Sequence, residues 1–117
     1  MSEKTIPVYI IDEIVPKPGH AKALFDGYLA RYAPGAVARG MKLDHSLVEP
    51  AFWTEDGSNR LIFIWSVAGV GAVWAKNFAG RLDPEVTAWW SEVDRQCLSR
   101  RRSTLCEGAD IGSVTNV

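Results

Sequence analysis

The run 61–67, Leu-Ile-Phe-Ile-Trp-Ser-Val, constrains the fold of this 117-residue chain more than any other feature. It has strand length, and apolar side chains occupy its odd and even positions alike. A strand of this kind is buried on both faces, so it belongs in the centre of a sheet. The chain must therefore supply neighbouring strands on both sides of this run and cover for both faces of the sheet.

The N-terminal third predicts one strand followed by one helix. Residues 8–15 form a β-branched run that Pro16 and Pro18 end, since proline cannot donate to a strand ladder. Apolar residues then recur at helical spacing from Ala21 to Tyr32, which predicts an amphipathic helix. Pro34 is expected to stop or kink that helix.

The rest of the chain predicts a strand, a turn and the central strand, then helical segments and a last strand. Residues 41–49 alternate with period two, which places the side chains of Met41, Leu43, His45 and Leu47 on one face. Helices are expected over about 70–78 and from the N-cap Asp83 onward. Residues 98–106 predict an edge strand, and 107–117 an irregular tail.

This order, β-α-β-β-α-β, predicts an α+β fold with the ferredoxin-like split arrangement, built as one domain over residues 1–106. Both helices of such a fold cover the same face of the sheet. Alternation assigns Ile10, Ile14, Ile62 and Ile64 to the other, open face. A second copy of the chain is the simplest cover for that face, so we expect a homodimer whose sheets pack together.

Composition excludes several classes of protein. Lys and Arg number 13 against 14 Asp and Glu, so the basic excess of a nucleic-acid binder is missing. No apolar run has the length of a membrane span, and the N-terminus has no signal-peptide pattern, so we expect a cytoplasmic protein without membrane contact. Two cysteines in no recognised spacing predict no metal site, and no nucleotide-binding motif implies a cofactor.

Three short segments resemble the NIPSNAP branch of the dimeric α+β barrel superfamily: Lys17-Pro18-Gly19, the run 59–65, and the segment from Asp83 to Trp89. The similarity extends over roughly residues 8–106 and implies a barrel formed by two chains. This chain departs from the family pattern in two places: it has a longer stretch over 49–58, and it has Phe63 at a position that is often polar. Members of the superfamily include cofactor-free monooxygenases, isomerases, polyketide cyclases and haem-using enzymes.

The same resemblance implies a pocket between the sheet and its own helices. Tyr28 falls where a related cyclase places a pocket tyrosine, although that enzyme's catalytic histidines have no match here. The catalytic candidates are His45, Glu13 and Tyr28. The residues expected to bind substrate are Tyr9, Ile11, Phe63, Trp65, Trp74 and Trp89, with Leu61 also in the lining.

Two residues among these could exchange protons. Glu13 lies on the strand face of Tyr9 and Ile11, where burial would raise the pKa of its carboxyl toward the range of a general base. The alternative is a structural carboxylate paired with an arginine such as Arg100. His45 suits acid–base work at neutral pH, or is a core histidine bonded to backbone. Asp12, on the opposite face, is expected to form a structural ion pair.

The predicted function is that of a small cofactor-independent enzyme of aromatic or polycyclic metabolism. Its acid–base chemistry would support isomerisation, cyclisation or C–C cleavage in an aromatic-lined pocket between the sheet and the helices. The chain has five tryptophans, which either line such a pocket or pack in the core and the dimer. Three alternatives stay open: a cofactor-free monooxygenase with the same pocket, a non-catalytic ligand-binding or stress-linked dimer, and a subunit that docks another protein.

Overall fold

A computed structural model describes residues 6–112 as a four-stranded antiparallel sheet with helices on one face. The strands are β1 (Pro7–Pro16), β2 (Lys42–Glu49), β3 (Arg60–Ala68) and β4 (Cys97–Leu105), in the order β2-β3-β1-β4. The predicted α+β, ferredoxin-like fold is therefore confirmed, and β3 lies inside the sheet as its apolar faces require. The ends of the predicted domain and tail, residues 1–5 and 113–117, lie outside the described residues.

The first helical segment does not stop at Pro34. It comprises α1 (Ala21–Gly27), a π-helical turn (Tyr28–Tyr32) and α2 (Ala33–Ala38). Pro34 has no N–H to bond the preceding turn, and the wider π-helical turn comes just before it. The chain thus continues helically past the proline, with both Tyr28 and Tyr32 on the buried side.

The second helical segment is longer than predicted. Helix α3 (Gly69–Leu82) extends beyond residue 78, and α4 (Pro84–Gln96) follows directly. Asp83 caps α4 as expected, because its Oδ1 accepts a hydrogen bond from the Glu85 N–H at 2.9 Å. A short 3₁₀ helix, Gly108–Asp110, follows β4.

The predicted assignment of faces is wrong for β1. Asp12 pairs with Phe63 of β3, and Glu13 pairs with Ile62. The side chains of Ile10, Asp12 and Ile14 therefore point toward the helices, whereas Tyr9, Ile11 and Glu13 lie on the open face. Because β1 is apolar at both odd and even positions, its alternation could not choose between the faces. The face that β1 turns toward the helices is decided by Asp12, because its buried carboxylate forms an ion pair on that side of the sheet.

A β-bulge changes the faces of β2. Leu43 pairs with Trp65 and lies toward the helices, but His45 pairs with Ile64 and lies on the open face. Asp44 is the extra residue between them, so the strict alternation predicted over 41–49 breaks there. His45 and Leu47 consequently stand on an exposed edge of the open face.

Candidate functional site

Tyr28, Phe63 and Trp65 form the solid centre of the core rather than the wall of a pocket. All three are fully buried. The Tyr28 ring stacks on Phe63 with centroids 3.5 Å apart, and Trp89 packs edge-on against Tyr28. The predicted cavity between the sheet and the helices is therefore filled by side chains at this point.

The Tyr28 hydroxyl is occupied on both sides. It accepts a hydrogen bond from Trp65 Nε1 at 2.6 Å and donates to Asp12 Oδ2 at 2.7 Å. Burial, followed by the charge of Asp12 and its hydrogen bond, raises the pKa of Tyr28 far above its ordinary value. Tyr28 therefore stays a neutral structural donor and cannot supply or accept a proton at physiological pH.

The buried carboxylate of β1 is Asp12, which holds an arginine of β4. Arg102 donates from Nε to Asp12 Oδ1 at 2.6 Å and from a terminal nitrogen to Oδ2 at 2.7 Å. The same terminal nitrogen donates to the Tyr32 hydroxyl at 2.8 Å. Burial alone would lower the pKa of Arg102, but the hydrogen bonds and charge of Asp12 raise it, so the guanidinium stays charged. The two-pronged contact fixes its orientation.

A cleft of about 510 Å³ opens beside this network, bordered by α3, α4 and β4. We call it the cationic cleft. Tyr32 and Trp90 supply its aromatic wall, with ring centroids 5.1 Å apart. Two cations lie on Trp90: the Arg100 guanidinium is 4.7 Å from the ring centroid and that of Arg102 is 5.4 Å away. The remaining cationic residues of the lining are Arg39, Lys76 and Arg81.

Lys76 is the chemically distinctive residue of the cationic cleft. Its residue surface is only 6% exposed, and its Nζ donates to the Asn77 side chain at 2.7 Å. No carboxylate of residues 6–112 forms an ion pair with it. Burial, followed by the positive charge of Arg102 and then Arg39, lowers the pKa of Lys76 to about 8, against a partial offset from Asp12. The amine can therefore lose its proton near neutrality.

The cations of the cleft outnumber the carboxylates that contact them. Asp94 pairs with Arg100 at 2.6 Å, Asp12 pairs with Arg102, and Asp83 lies 3.7 Å from Arg39. Lys76 and Arg81 are left without a carboxylate partner among the described residues. A half-enclosed site with excess positive charge and an aromatic wall favours a small anion that carries a ring.

The other predicted site residues lie elsewhere. Glu13 is on the open face, 3.4 Å from Arg60, and His45 is on the same face at the edge of the sheet. Tyr9 and Ile11 share that face, so none of these four lines the cleft. Trp74 is 67% exposed on α3, which contradicts its predicted place in a pocket. The prediction of one pocket formed by all these residues is wrong.

Trp89 also differs from its predicted role. It is buried in the core, where its ring would lie 3.2 Å from a Cβ added at Gly27. A side chain at position 27 would therefore crowd this ring and require it to shift by a few tenths of an ångström. The adjacent Trp90 faces the cationic cleft instead. Trp89 therefore packs in the core while Trp90 lines the cleft, as their separation of about 100° on a helix requires.

No group of three or more His, Cys, Asp or Glu side chains in residues 6–112 has a metal-binding arrangement. No helix in that part of the chain is both long and apolar enough to cross a bilayer.

Comparison with known proteins gives structural likeness only. No family model matches the sequence, and no curated protein matches it. A NIPSNAP domain protein from Burkholderia xenovorans has a TM-score of 0.64 and 13% identity, covering 87% of this chain and 95% of that one. A NIPSNAP family protein of unknown function from Agrobacterium tumefaciens gives 0.66 and 12%, covering 89% and 90%.

One further similar structure carries the name of an activity. It is a putative antibiotic biosynthesis monooxygenase from Nitrosomonas europaea, with a TM-score of 0.60 and 8% identity, covering 92% of this chain and 96% of that one. At such identities the likeness establishes the fold and leaves the chemistry open. The chain has the NIPSNAP-like, ferredoxin-like fold that its sequence predicts.

Proposed function

We propose that the protein is a small cofactor-independent enzyme that transfers a proton on an aromatic, carbonyl- or phenol-bearing anion bound in the cationic cleft. The reaction class is isomerisation, cyclisation or C–C cleavage. The observation that carries this proposal is Lys76, a buried amine without a carboxylate partner that lines a cleft beside an aromatic wall. We assign to Lys76 the proton-accepting role that the sequence predicts for Glu13 and His45.

Proton transfer would begin with the neutral form of Lys76. With a pKa of about 8, roughly a tenth of the amine is unprotonated at pH 7. The neutral amine takes a proton from carbon or from a phenol, and negative charge develops on the substrate oxygen. Arg102, held in place by Asp12, and the Tyr32 hydroxyl stabilise that oxyanion. The resulting ammonium can return the proton at another atom.

The alternative activity is cofactor-free oxygenation in the same cleft. The first step is identical, because Lys76 deprotonates the substrate. The resulting carbanion or phenolate would then react with dioxygen itself. What supports this candidate is the similar structure from Nitrosomonas europaea, which has 8% identity and is named as a putative antibiotic biosynthesis monooxygenase. A third candidate is a ligand-binding dimer without catalysis, in which the anion is held but not converted.

Proton exchange in D₂O separates these candidates. The probe is 2-oxo-4-phenylbutanoate, whose C3 protons are followed by NMR in buffer alone and with protein. We expect the wild type to accelerate exchange and Lys76→Met to abolish the acceleration, while His45→Ala and Glu13→Gln behave as wild type. Dioxygen uptake would favour the oxygenase. Binding without exchange or uptake would favour the non-catalytic candidate, and absence of binding would refute all three.

We also propose that the open face of the sheet packs against a second copy of the chain. Ile11, Ile62 and Ile64 form its apolar centre, and the pair of Glu13 with Arg60 lies at one side. Within one chain these isoleucines are only half-buried, although a β-branched apolar surface of this kind is normally covered. A symmetric dimer would remove it from water.

A further inference from the structure

We propose that Lys76 forms a covalent imine with the carbonyl of an aromatic 2-oxo acid, whose carboxylate is bound by Arg39 and Arg102. The inference rests on the proposed role of the cationic cleft as the binding site, and it names the substrate class more closely. A ligand of this class places a carbonyl carbon directly beside a carboxylate and carries a ring at its far end. The cleft offers one group suited to each of these three parts.

The amine has the surroundings that imine formation needs. Lys76 lines the cleft and is nearly excluded from bulk water, and its described contact is a neutral amide, Asn77. Two guanidinium groups, of Arg102 and Arg39, lie close enough to disfavour its ammonium form. Lysines that form imines in proteins are made nucleophilic by this combination of desolvation and neighbouring cations.

Two arginines are suited to receive the carboxylate. Arg102 uses Nε and one terminal nitrogen for Asp12 and Tyr32, so its other terminal nitrogen has no hydrogen-bond partner among the described residues. Arg39 has a side chain only 10% exposed, yet its carboxylate contact, to Asp83, is long at 3.7 Å. An incoming carboxylate would complete the hydrogen bonding of both groups. The ring of the ligand would lie against Trp90 and Tyr32.

The covalent step balances without any further reactant. The unprotonated Lys76 nitrogen adds to the carbonyl carbon, and the carbonyl oxygen takes up a proton to give a carbinolamine. Loss of its hydroxyl group together with the remaining N–H proton, as one molecule of water, leaves a C=N bond. Hydrolysis reverses the sequence. The imine withdraws electrons from the adjacent C3–H bonds, so a C3 proton is lost to solvent more readily than from the free ketone, without Lys76 acting as the base.

Borohydride trapping tests the imine. Wild-type protein is incubated with 2-oxo-4-phenylbutanoate and sodium borohydride, digested, and mapped by mass spectrometry. The carbonyl-free control ligand is 2-hydroxy-4-phenylbutanoate. The control variant Lys76→Arg keeps the positive charge but cannot form an imine. Lys17, Lys22 and Lys42 serve as internal controls because they are solvent-exposed.

The expected result is a reduced adduct concentrated on Lys76, absent with the hydroxy acid and absent in Lys76→Arg. An adduct spread evenly over the exposed lysines would overturn the inference. Binding of both acids, seen by tryptophan quenching, with no adduct on Lys76 would overturn the imine and leave the proposed proton-transfer site standing. If neither acid binds, both the imine and the proposed function are refuted.

Discussion

The carboxylate of Asp12 on β1 and the guanidinium of Arg102 on β4 face each other in register and share two hydrogen bonds, of 2.6 and 2.7 Å. Asp12 is 2% exposed, whereas the Arg102 side chain reaches the cationic cleft. This pair therefore links the core of the protein to its candidate site. It also explains why β1 presents its even-numbered residues to the helices.

Removing the charge of Asp12 should be strongly destabilising. Asp12→Asn leaves Arg102, whose side chain is 30% exposed, without its carboxylate. Losing the charged hydrogen bonds of such a partly buried pair costs about 2–3 kcal/mol, less than the loss expected for a fully buried pair. The matched control is Glu13→Gln, the next residue along β1, whose carboxylate is half-exposed on the open face. We expect that change to cost less than about 1 kcal/mol.

Urea denaturation followed by far-UV circular dichroism measures both effects. Equal losses in the two variants would contradict the assigned faces of β1. The double variant Asp12→Asn with Arg102→Met should lose less stability than the sum of the two single changes, because the two residues act on each other.

The Tyr28 hydroxyl should contribute more to the free energy of unfolding than an ordinary tyrosine hydroxyl does. Tyr28→Phe removes the acceptor of the Trp65 N–H and a donor to Asp12, and leaves a buried indole N–H unsatisfied. We expect a loss of about 1–3 kcal/mol in thermal or urea unfolding. Tyr9→Phe, on the open face, is the control and should change stability by less than about 0.5 kcal/mol. A larger effect for Tyr9 would refute the network.

The sequence predicts the order of the elements correctly, because each segment has a clear period or a clear end. A continuous apolar run marks strand 61–67, apolar periodicity marks helix 21–32, and the capping residue Asp83 marks the start of α4. The faces of β1 are not predictable in this way, since both are apolar. The bulge at Asp44, which moves His45 to the open face, leaves no mark in the alternation either.

The sequence does not predict the cationic cleft, for a physical reason that concerns α3. Its large apolar residues, Trp74, Phe78 and Leu82, are 64–70% exposed, while Lys76 points inward. An amphipathic interpretation of this helix therefore selects the wrong side. The sequence does contain one signal for the cleft. Asp12 is an acidic residue in an apolar strand, and β4 carries three consecutive arginines that could neutralise it. Pairing Asp12 with one of them, which is Arg102 in the structure, locates the edge of the cleft.

Lys76 should reduce stability at neutral pH. Its pKa falls from an ordinary 10.5 to about 8 on folding, so the folded state binds this proton less tightly than the unfolded state. The resulting penalty is complete below pH 8 and disappears as the pH rises toward 10.5. We expect Lys76→Met to be more stable than the wild type at pH 7 by about 1–2 kcal/mol, after allowance for water at the cleft mouth.

The measurement is the difference in free energy of unfolding between the two proteins from pH 6 to about pH 10. The difference should shrink across the upper part of that range. A difference that is constant with pH would mean that burial does not perturb this amine.

The open face should control the association state. Size-exclusion chromatography with light scattering is expected to give a dimer for the wild type. Ile64→Glu should give a monomer, because burying an unpaired carboxylate at the centre of an interface costs several kcal/mol. The control is Leu82→Glu, which should stay dimeric because Leu82 is 70% exposed on α3 and does not belong to the open face. A monomeric wild type, or a dimeric Ile64→Glu variant, would contradict a dimer through this face.

The central claim is that the cationic cleft, and not the face of His45 and Glu13, binds an aromatic anion. Isothermal titration with 2-hydroxy-4-phenylbutanoate at low ionic strength tests it most directly, because this ligand cannot react. The account predicts saturable binding by the wild type and by His45→Ala, weakened about tenfold or more in Lys76→Met through loss of a charged contact. Equal affinity in the wild type and Lys76→Met, or loss of binding in His45→Ala alone, would contradict it.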